Sequence, residues 1–250
     1  MDLINYYLRY CAILVKMKLR SKYVNTYKKR LHRLQTAYLL EMAANEANSL
    51  IGQSVKKPLF IDCGSNIGQA WEIFSRYFPI SNYDHVLIEP NPYCLKILKS
   101  KINLYNSNGS IKLINKAASA KNGHAKLLLR KDIHEDNTSQ AATIHNYNNT
   151  SPDLSNGYLE IIVETFRFSE LIVELALNYY PIIVKMDVES AEYEILEDMI
   201  ENKMAGLINV LLVEFHSQYM DDFNKKKFEV IEKTLIRSLS RQGCRVFLWY

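Results

Sequence analysis

The sequence is poor in the features that mark several large protein classes. Its four cysteines, Cys11, Cys63, Cys94 and Cys244, lie far apart, with no CxxC pair and no Cys/His spacing suited to zinc. That excludes a disulfide scaffold and a zinc module, and fits free thiols in a reducing compartment. Charge of one sign is scarce as well: the net charge is +4 with 23% charged residues, a balance that gives no reason to expect nucleic acid as a partner. No apolar run approaches the roughly 20 residues that cross a bilayer. The stretch CAILV, Cys11–Val15, is closed off by Arg9 and Lys16, and no small-residue cleavage site follows it, so neither a membrane span nor a signal peptide is expected. Without a secretory signal, the glycosylation-type triplet Asn149-Thr150-Ser151 carries no weight. Solenoid repeats are absent too. What is present is a 250-residue chain, 48% hydrophobic, which suits one α/β domain with an extension.

Two regions differ in character. Residues 1–53 have no proline and no glycine before Gly52, are rich in Leu, Tyr, Lys and Arg, and read as a helical extension. Up to Arg33 this region carries nine basic residues, Arg9, Lys16, Lys18, Arg20, Lys22, Lys28, Lys29, Arg30 and Arg33, against Asp2 alone. Interleaved with apolar residues, such a face fits peripheral contact with an anionic membrane. It fits equally well a helix packed on its own domain with the charges solvated. Residues 54–250 alternate strand and helix. PLFIDCG, HVLIEPNP, SIKLINKAAS, GHAKLLLR, LEIIVETF, PIIVKMDVES, INVLLVEFH and CRVFLWY read as strands, and the polar stretch Lys131–Asn156 reads as loop. Near-continuous Val/Ile/Leu strands between helices point to a parallel sheet covered on both faces. In such a sheet ligands bind beyond the carboxyl ends of the strands.

The strand ends collect the chemistry. The first gives Asp62-Cys63-Gly64-Ser65-Asn66-Ile67-Gly68. A dinucleotide fingerprint would space its glycines as G-x-G-x-x-G, and an acid so close to the turn would repel a pyrophosphate. The same acid would welcome an amino-acid ammonium, so a ligand with amino-acid and nucleoside parts, S-adenosylmethionine, fits better. Glu89 ends the next strand and can accept both hydroxyls of a ribose. At the end of NKAAS the small residues Ala117 and Ala118 leave room for a flat base. Lys185, Asp187 and Glu189 alternate on one face of a strand end, Glu192 follows on a helix, and Glu214 and His216 alternate at the next strand end. Charges in that setting pair with one another or serve chemistry.

FIDCGSNIGQ, LIEPNP, INKAAS, VKMDVESAEYEIL and LLVEFH, in this order, resemble the FkbM family of S-adenosylmethionine-dependent methyltransferases over about residues 59–216. The resemblance implies a doubly wound, mostly parallel, seven-stranded Rossmann-like sheet with helices on both faces. It implies O-methylation of a sugar, glycan or secondary metabolite. By the resemblance Asp62, Gly64, Asn66 and Gly68 would hold the methionine part of the cofactor and Glu89 the ribose, and Lys185, Asp187, Glu189 and Glu192 would line the site near the methyl group. The residues themselves add Ser65 to the cofactor loop, Ala117 and Ala118 beside the base, and His216 to the catalytic side. Two departures stand out: Ser190 replaces the glycine usual in the family's Glu-Gly-Ala-Glu, and Arg167 or Phe168 stands where the family favours an acid.

A sugar hydroxyl is a poor nucleophile, so a base or a metal must help to remove its proton. His216, Glu189 and Asp187 are the base candidates, and Asp187, Glu189 and Glu214 are the oxygen donors for a divalent metal such as Mg²⁺. Two rivals stay open: an NAD-dependent oxidoreductase, which would share Glu89, and a non-catalytic nucleoside-binding protein acting through its basic N-terminus. The expected location is cytoplasmic, with at most peripheral membrane contact through the N-terminus; the expected partner is a small-molecule or glycan substrate, and the oligomeric state is left open.

Overall fold

The computed structural model describes residues 3–19, 24–105, 111–130, 142–144 and 158–249. The polar stretch 131–156, apart from 142–144, lies outside the described residues, as do Asn149, Arg20 and Lys22.

Six strands build the main sheet in the order β3-β2-β1-β7-β8-β9: β1 (Lys57–Cys63), β2 (Asp84–Ile88), β3 (Ile111–Ile114), β7 (Tyr179–Met186), β8 (Val210–Val213) and β9 (Arg245–Leu248). Every pairing in it is parallel. The strand order reverses between β1 and β7, which places the switch point of the winding beside their carboxyl ends. Side-chain alternation sorts the residues to two cores. Leu59, Ile61, Ile182, Val184, Leu211 and Val213 pack with α5 (Phe168–Ala176), α6 (Glu192–Glu201) and α7 (Asp222–Arg241). Phe60, Leu87, Ile183, Val210 and Leu212 pack on the opposite face with α3 (Gln69–Phe74) and α4 (Pro92–Tyr105). The run Ile182-Ile183-Val184 is apolar throughout because both faces of β7 are covered.

The doubly wound fold is as expected, but the main sheet has six strands and not seven. The segment read as one strand, SIKLINKAAS, breaks at Asn115-Lys116. β3 ends at Ile114, and Ala117–Ser119 forms β4 in a second sheet of order β4-β6-β5. There β6 (Tyr158–Arg167) pairs in parallel with β4 and antiparallel with β5 (Gly123–Arg130). The apolar alternation of LEIIVETF gave a strand but not its partner, which is set by contacts distant in sequence. Arg167, at the end of β6, grips Asp198 of α6 through Nη2 at 2.6 Å and Nε at 3.2 Å, and so ties the second sheet to a helix of the first.

The N-terminal region forms α1 (Leu3–Leu19) and α2 (Val24–Leu50). Leu40, Ala43, Ala44 and Ala47 follow i, i+3, i+4, i+7 spacing along α2 and sink into the core with Phe60 and Trp71. Burying Leu40 alone contributes about 1.5–3 kcal/mol. Asn48 of α2 accepts a hydrogen bond from Tyr83 Oη at 3.2 Å. The second half of α2 is therefore a covering layer of the sheet, while α1 rests on it through stacked Tyr6 and Tyr38, 4.1 Å between ring centroids. Lys28, Lys29, Arg30 and Arg33 lie exposed on the first half of α2. Among the described residues no helix is long and apolar enough to cross a membrane.

Candidate functional site

The loop after β1 is shaped by its neighbours. Gly64 has φ 82°, and a Cβ built there would stand 1.7 Å from the Asp187 carbonyl oxygen, so only glycine lets the loops after β1 and β7 abut. Its N–H and that of Ser65 donate to the Ile88 carbonyl at 3.1 and 3.0 Å. Ser65 Oγ donates to the Asp62 carbonyl at 2.8 Å. Asn66 takes the left-handed region at φ 48°, and its Oδ1 accepts from the next N–H, that of Ile67, at 2.8 Å, which stabilises the turn locally. Gly68 then opens α3.

Glu89 clamps this loop from β2. Oε2 accepts the Asn66 N–H at 2.6 Å and Oε1 the Asn91 N–H at 2.8 Å. Burial raises its carboxyl to about 7 against the lowering effect of those two donors. Ala117 and Ala118 do not line the end of β3. They sit in β4 with their side chains buried in apolar clusters, because the chain has already turned away to the second sheet. The residue that follows β3 is Asn115, whose Nδ2 donates to the Glu89 carbonyl at 2.8 Å.

β1 and β7 carry an opposite-charge pair in direct register, Asp62 beside Lys185. Lys185 Nζ lies 3.1 Å from Asp62 Oδ1 and 3.4 Å from Asp187 Oδ2, and donates to the Gly64 carbonyl at 2.7 Å. The side chains of Asp62 and Lys185 are 0% and 1% exposed. Burial opposes the ammonium, yet Asp62 and Asp187 outweigh it and hold Lys185 above its ordinary range. Burial pushes the Asp62 carboxyl up, with Lys185 pulling the other way. Among the described residues neither Asp62 oxygen meets strict hydrogen-bond geometry, and the ammonium 3.1 Å away is its closest charge partner. The place near Asp62 that the sequence offered to a ligand's ammonium is thus taken by Lys185.

The loops after β7 and β8 meet at one point. Lys185 and Asp187 turn to the same side, 3.4 Å between Nζ and Oδ2. The strand stops at Met186, however, and Glu189 and Ser190 enter the left-handed region at φ 50° and 84°, so Glu189 is swung into place by a turn and not by strand alternation. Thr143 Oγ1 donates to the Glu189 carbonyl at 2.5 Å and holds that turn. His216 Nε2 stands 3.5 Å from both Asp187 Oδ1 and Glu189 Oε2. Glu192 lies behind: its Oε1 accepts from His216 Nδ1 at 3.0 Å and from the His216 N–H at 3.1 Å, and its Oε2 from the Ser190 N–H at 2.9 Å. Asp187 and Glu189 keep 25% and 19% of their side chains exposed, against 2% for His216 and 0% for Glu192. Burial alone would lower His216; its bond to Glu192 and the surrounding acids raise it to about 10. Burial raises Glu189 to about 8, opposed by His216, and Glu214 to about 7, with Asp187 adding to the rise.

Among the described residues the groups whose ligand atoms converge, all within 4.8 Å of one another, are Asp187, Glu189 and His216, so His216 and not Glu214 stands with the first two members of the expected donor set Asp187, Glu189 and Glu214. Thr143 escaped the sequence reading because it lies in a polar stretch. The short apolar flank Ala142-Thr143-Ile144, bridged to Leu128 of β5, was the available signal.

Residues 62–245 match the Methyltransferase FkbM domain. The chain belongs to the FkbM methyltransferase family. Among curated proteins none matches significantly. A crystal structure of methyltransferase FkbM from Methylobacillus flagellatus KT is similar, with 12% identity, a TM-score of 0.43, and coverage of 87% of this chain and 54% of that one. This chain therefore spans about half the length of that FkbM protein. Within the family frame Ser190 is the notable replacement. At φ 84° it occupies a conformation suited to glycine, and its buried hydroxyl has no hydrogen-bond partner among the described residues.

Proposed function

We propose that this FkbM-family protein transfers a methyl group from S-adenosylmethionine to a hydroxyl of a sugar, glycan or secondary metabolite. The observation that carries the reading is the convergence of Asp187, Glu189 and His216 beside the glycine-containing loop after β1, at the switch point of a parallel sheet.

The residues present fit the cofactor. Each Glu89 oxygen receives one backbone donor and has a further lone pair for a ribose hydroxyl. The loop of Gly64, Ser65, Asn66 and Gly68 is pre-shaped by positive φ values at Gly64, Asn66 and Gly68. When bound, S-adenosylmethionine offers a methyl carbon on a cationic sulfur: the acceptor oxygen bonds to that carbon, the C–S bond breaks with its electron pair going to sulfur, and one proton is released. This chain's task is to align the acceptor and to handle that proton. Asp187 and Glu189, the exposed members of the cluster, face the acceptor. His216 stands between them, and Glu192 fixes its ring through Nδ1. Lys185 and Asp62, both enclosed, hold the loops after β1 and β7 together. Lys185 and Glu192 are therefore positioning residues in this reading. Glu89 would serve the ribose of a dinucleotide equally; the charged cluster at the ends of β7 and β8 is what favours a transferase over a passive nucleoside binder.

The test is a calorimetric titration with S-adenosylmethionine and, separately, NAD, followed by assay for S-adenosylhomocysteine with candidate glycans. Binding of the first ligand and methyl transfer support the reading. Tight binding of NAD alone would overturn it.

A further inference from the structure

We propose that Asp187, Glu189 and His216 form a binding site for one divalent metal cation. The site itself stands on geometry. Its role, to bind the acceptor oxygen and ease loss of its proton, rests on the methyl-transfer reading.

The first observation is the donor set. Two carboxylates and an imidazole from two adjacent loops bring one ligand atom each to within 4.8 Å of the others. Metal–ligand bonds of about 2.1 Å separate neighbouring donors by roughly 3–3.5 Å. His216 Nε2 lies 3.5 Å from each carboxylate, at the upper end of that spacing.

The second observation is the state of His216. Its side chain is 2% exposed, yet among the described residues Nε2 makes no hydrogen bond. A charge-assisted pair closes to about 2.7–2.9 Å. Here the ring nitrogen faces two carboxylates at equal distance and closes on neither, a spacing that a cation bound to all three groups would also set. Behind it, Nδ1 is fixed by Glu192, the carboxylate–histidine arrangement that commonly supports a metal-binding imidazole.

The third is backbone strain. Glu189 and Ser190 both hold positive φ, a cost that aims the Glu189 carboxylate at the same point. Lys185 does not neutralise the cluster, because it is engaged by Asp62 as well as Asp187.

Three protein donors leave coordination positions for water and for an acceptor oxygen. Mixed oxygen and imidazole donors suit Mn²⁺ and related first-row cations better than Ca²⁺. A cation held there would polarise the acceptor O–H; the proton leaves to solvent, the oxygen bonds to the methyl carbon, and the C–S bond breaks with its electron pair going to sulfur, so charge and atoms balance.

Titration of the full chain with Mn²⁺, followed by electron paramagnetic resonance, decides the matter. The expected result is one saturable site with imidazole-nitrogen coupling. Asp187→Asn and Glu189→Gln should weaken it about tenfold or more, and His216→Gln should abolish the nitrogen coupling. Glu164→Gln, an exposed acid on the second sheet, should leave binding unchanged. Circular dichroism checks that each variant is folded, and Glu189→Gln serves where another is not. Absence of saturable Mn²⁺ binding by the folded wild type overturns the inference, as does binding indifferent to Asp187→Asn and Glu189→Gln. S-adenosylmethionine titration of the same sample separates the two readings. Cofactor binding without Mn²⁺ binding sinks this inference alone, and Mn²⁺ binding without cofactor binding sinks the transferase.

Discussion

The two halves of the site are built on opposite principles. On the side of β1 and β2 the acid is satisfied: Glu89 accepts two backbone N–H groups at 2.6 and 2.8 Å, and the turn it clamps is closed by local bonds. On the side of β7 and β8 Glu192 is fully bonded, but Asp187 and Glu189 are unsettled. They meet His216 only at 3.5 Å, the backbone at Glu189 and Ser190 is strained, and the Ser190 hydroxyl is buried with no hydrogen-bond partner among the described residues. A satisfied, rigid half suits a ligand that is always the same, as a cofactor is. A half whose polar groups lack partners suits chemistry, where the missing partners arrive with substrate. Between them Asp62 and Lys185 lock the strands that carry each half.

That lock gives the largest expected effect. Lys185→Ala would leave the enclosed Asp62 uncompensated and should cost about 3–5 kcal/mol of stability in urea unfolding. Lys185→Met combined with Asp62→Asn should recover most of it. A mild loss from the single change would mean that the two halves hold without the pair.

The sheet beneath the cofactor half should show its own acid sensitivity. His85 is buried, accepts from Trp71 Nε1 through Nδ1 at 2.9 Å, and faces the Phe78 carbonyl with Nε2 at 3.0 Å, so its neutral form with the proton on Nε2 fits. Burial lowers it from 6.5 to about 4. Below about pH 6.5 the unfolded chain takes up a proton that the folded chain refuses. Stability should therefore fall as pH drops from about 6.5 to 4, by about 3 kcal/mol in all. The difference between wild-type and His85→Gln unfolding curves across that window measures it; a flat difference would remove the assignment.

Glu89→Ala should orphan two backbone donors, cost about 2 kcal/mol of stability, and weaken S-adenosylmethionine binding roughly tenfold or more. Loss of stability with unchanged affinity would make Glu89 a clamp alone.

The smallest effect tests strain in the catalytic half. Ser190→Gly should stabilise the fold by about 1 kcal/mol, because glycine takes the left-handed region freely and the partnerless hydroxyl goes. Thermal unfolding reads this as a rise of a few degrees, and a fall would show that the serine side chain packs favourably.

The strands, helices and charged strand ends were legible because alternation and turn residues are local. The break at Asn115 was not. Isoleucine and alanine on either side read as one strand, and only pairing with β6 moves Ala117 and Ala118 to the second sheet. The alanine-rich stripe of α2 was in the sequence, but small residues signal burial weakly, so its role as a sheet cover emerged only from packing with Phe60 and Trp71. In the site, residue types announced charge chemistry without saying who pairs with whom. Lys185 joined Asp62 across the sheet register, and Glu192 turned behind His216, both through contacts that depend on the whole winding.

The most direct test of the division into a cofactor half and a catalytic half is one calorimetric series with S-adenosylmethionine on wild type, Glu89→Ala and Asp187→Asn. The account predicts that wild type and Asp187→Asn bind alike and that Glu89→Ala binds at least about tenfold more weakly. Failure of the wild type to bind, or loss of binding in Asp187→Asn with Glu89→Ala unaffected, would contradict it.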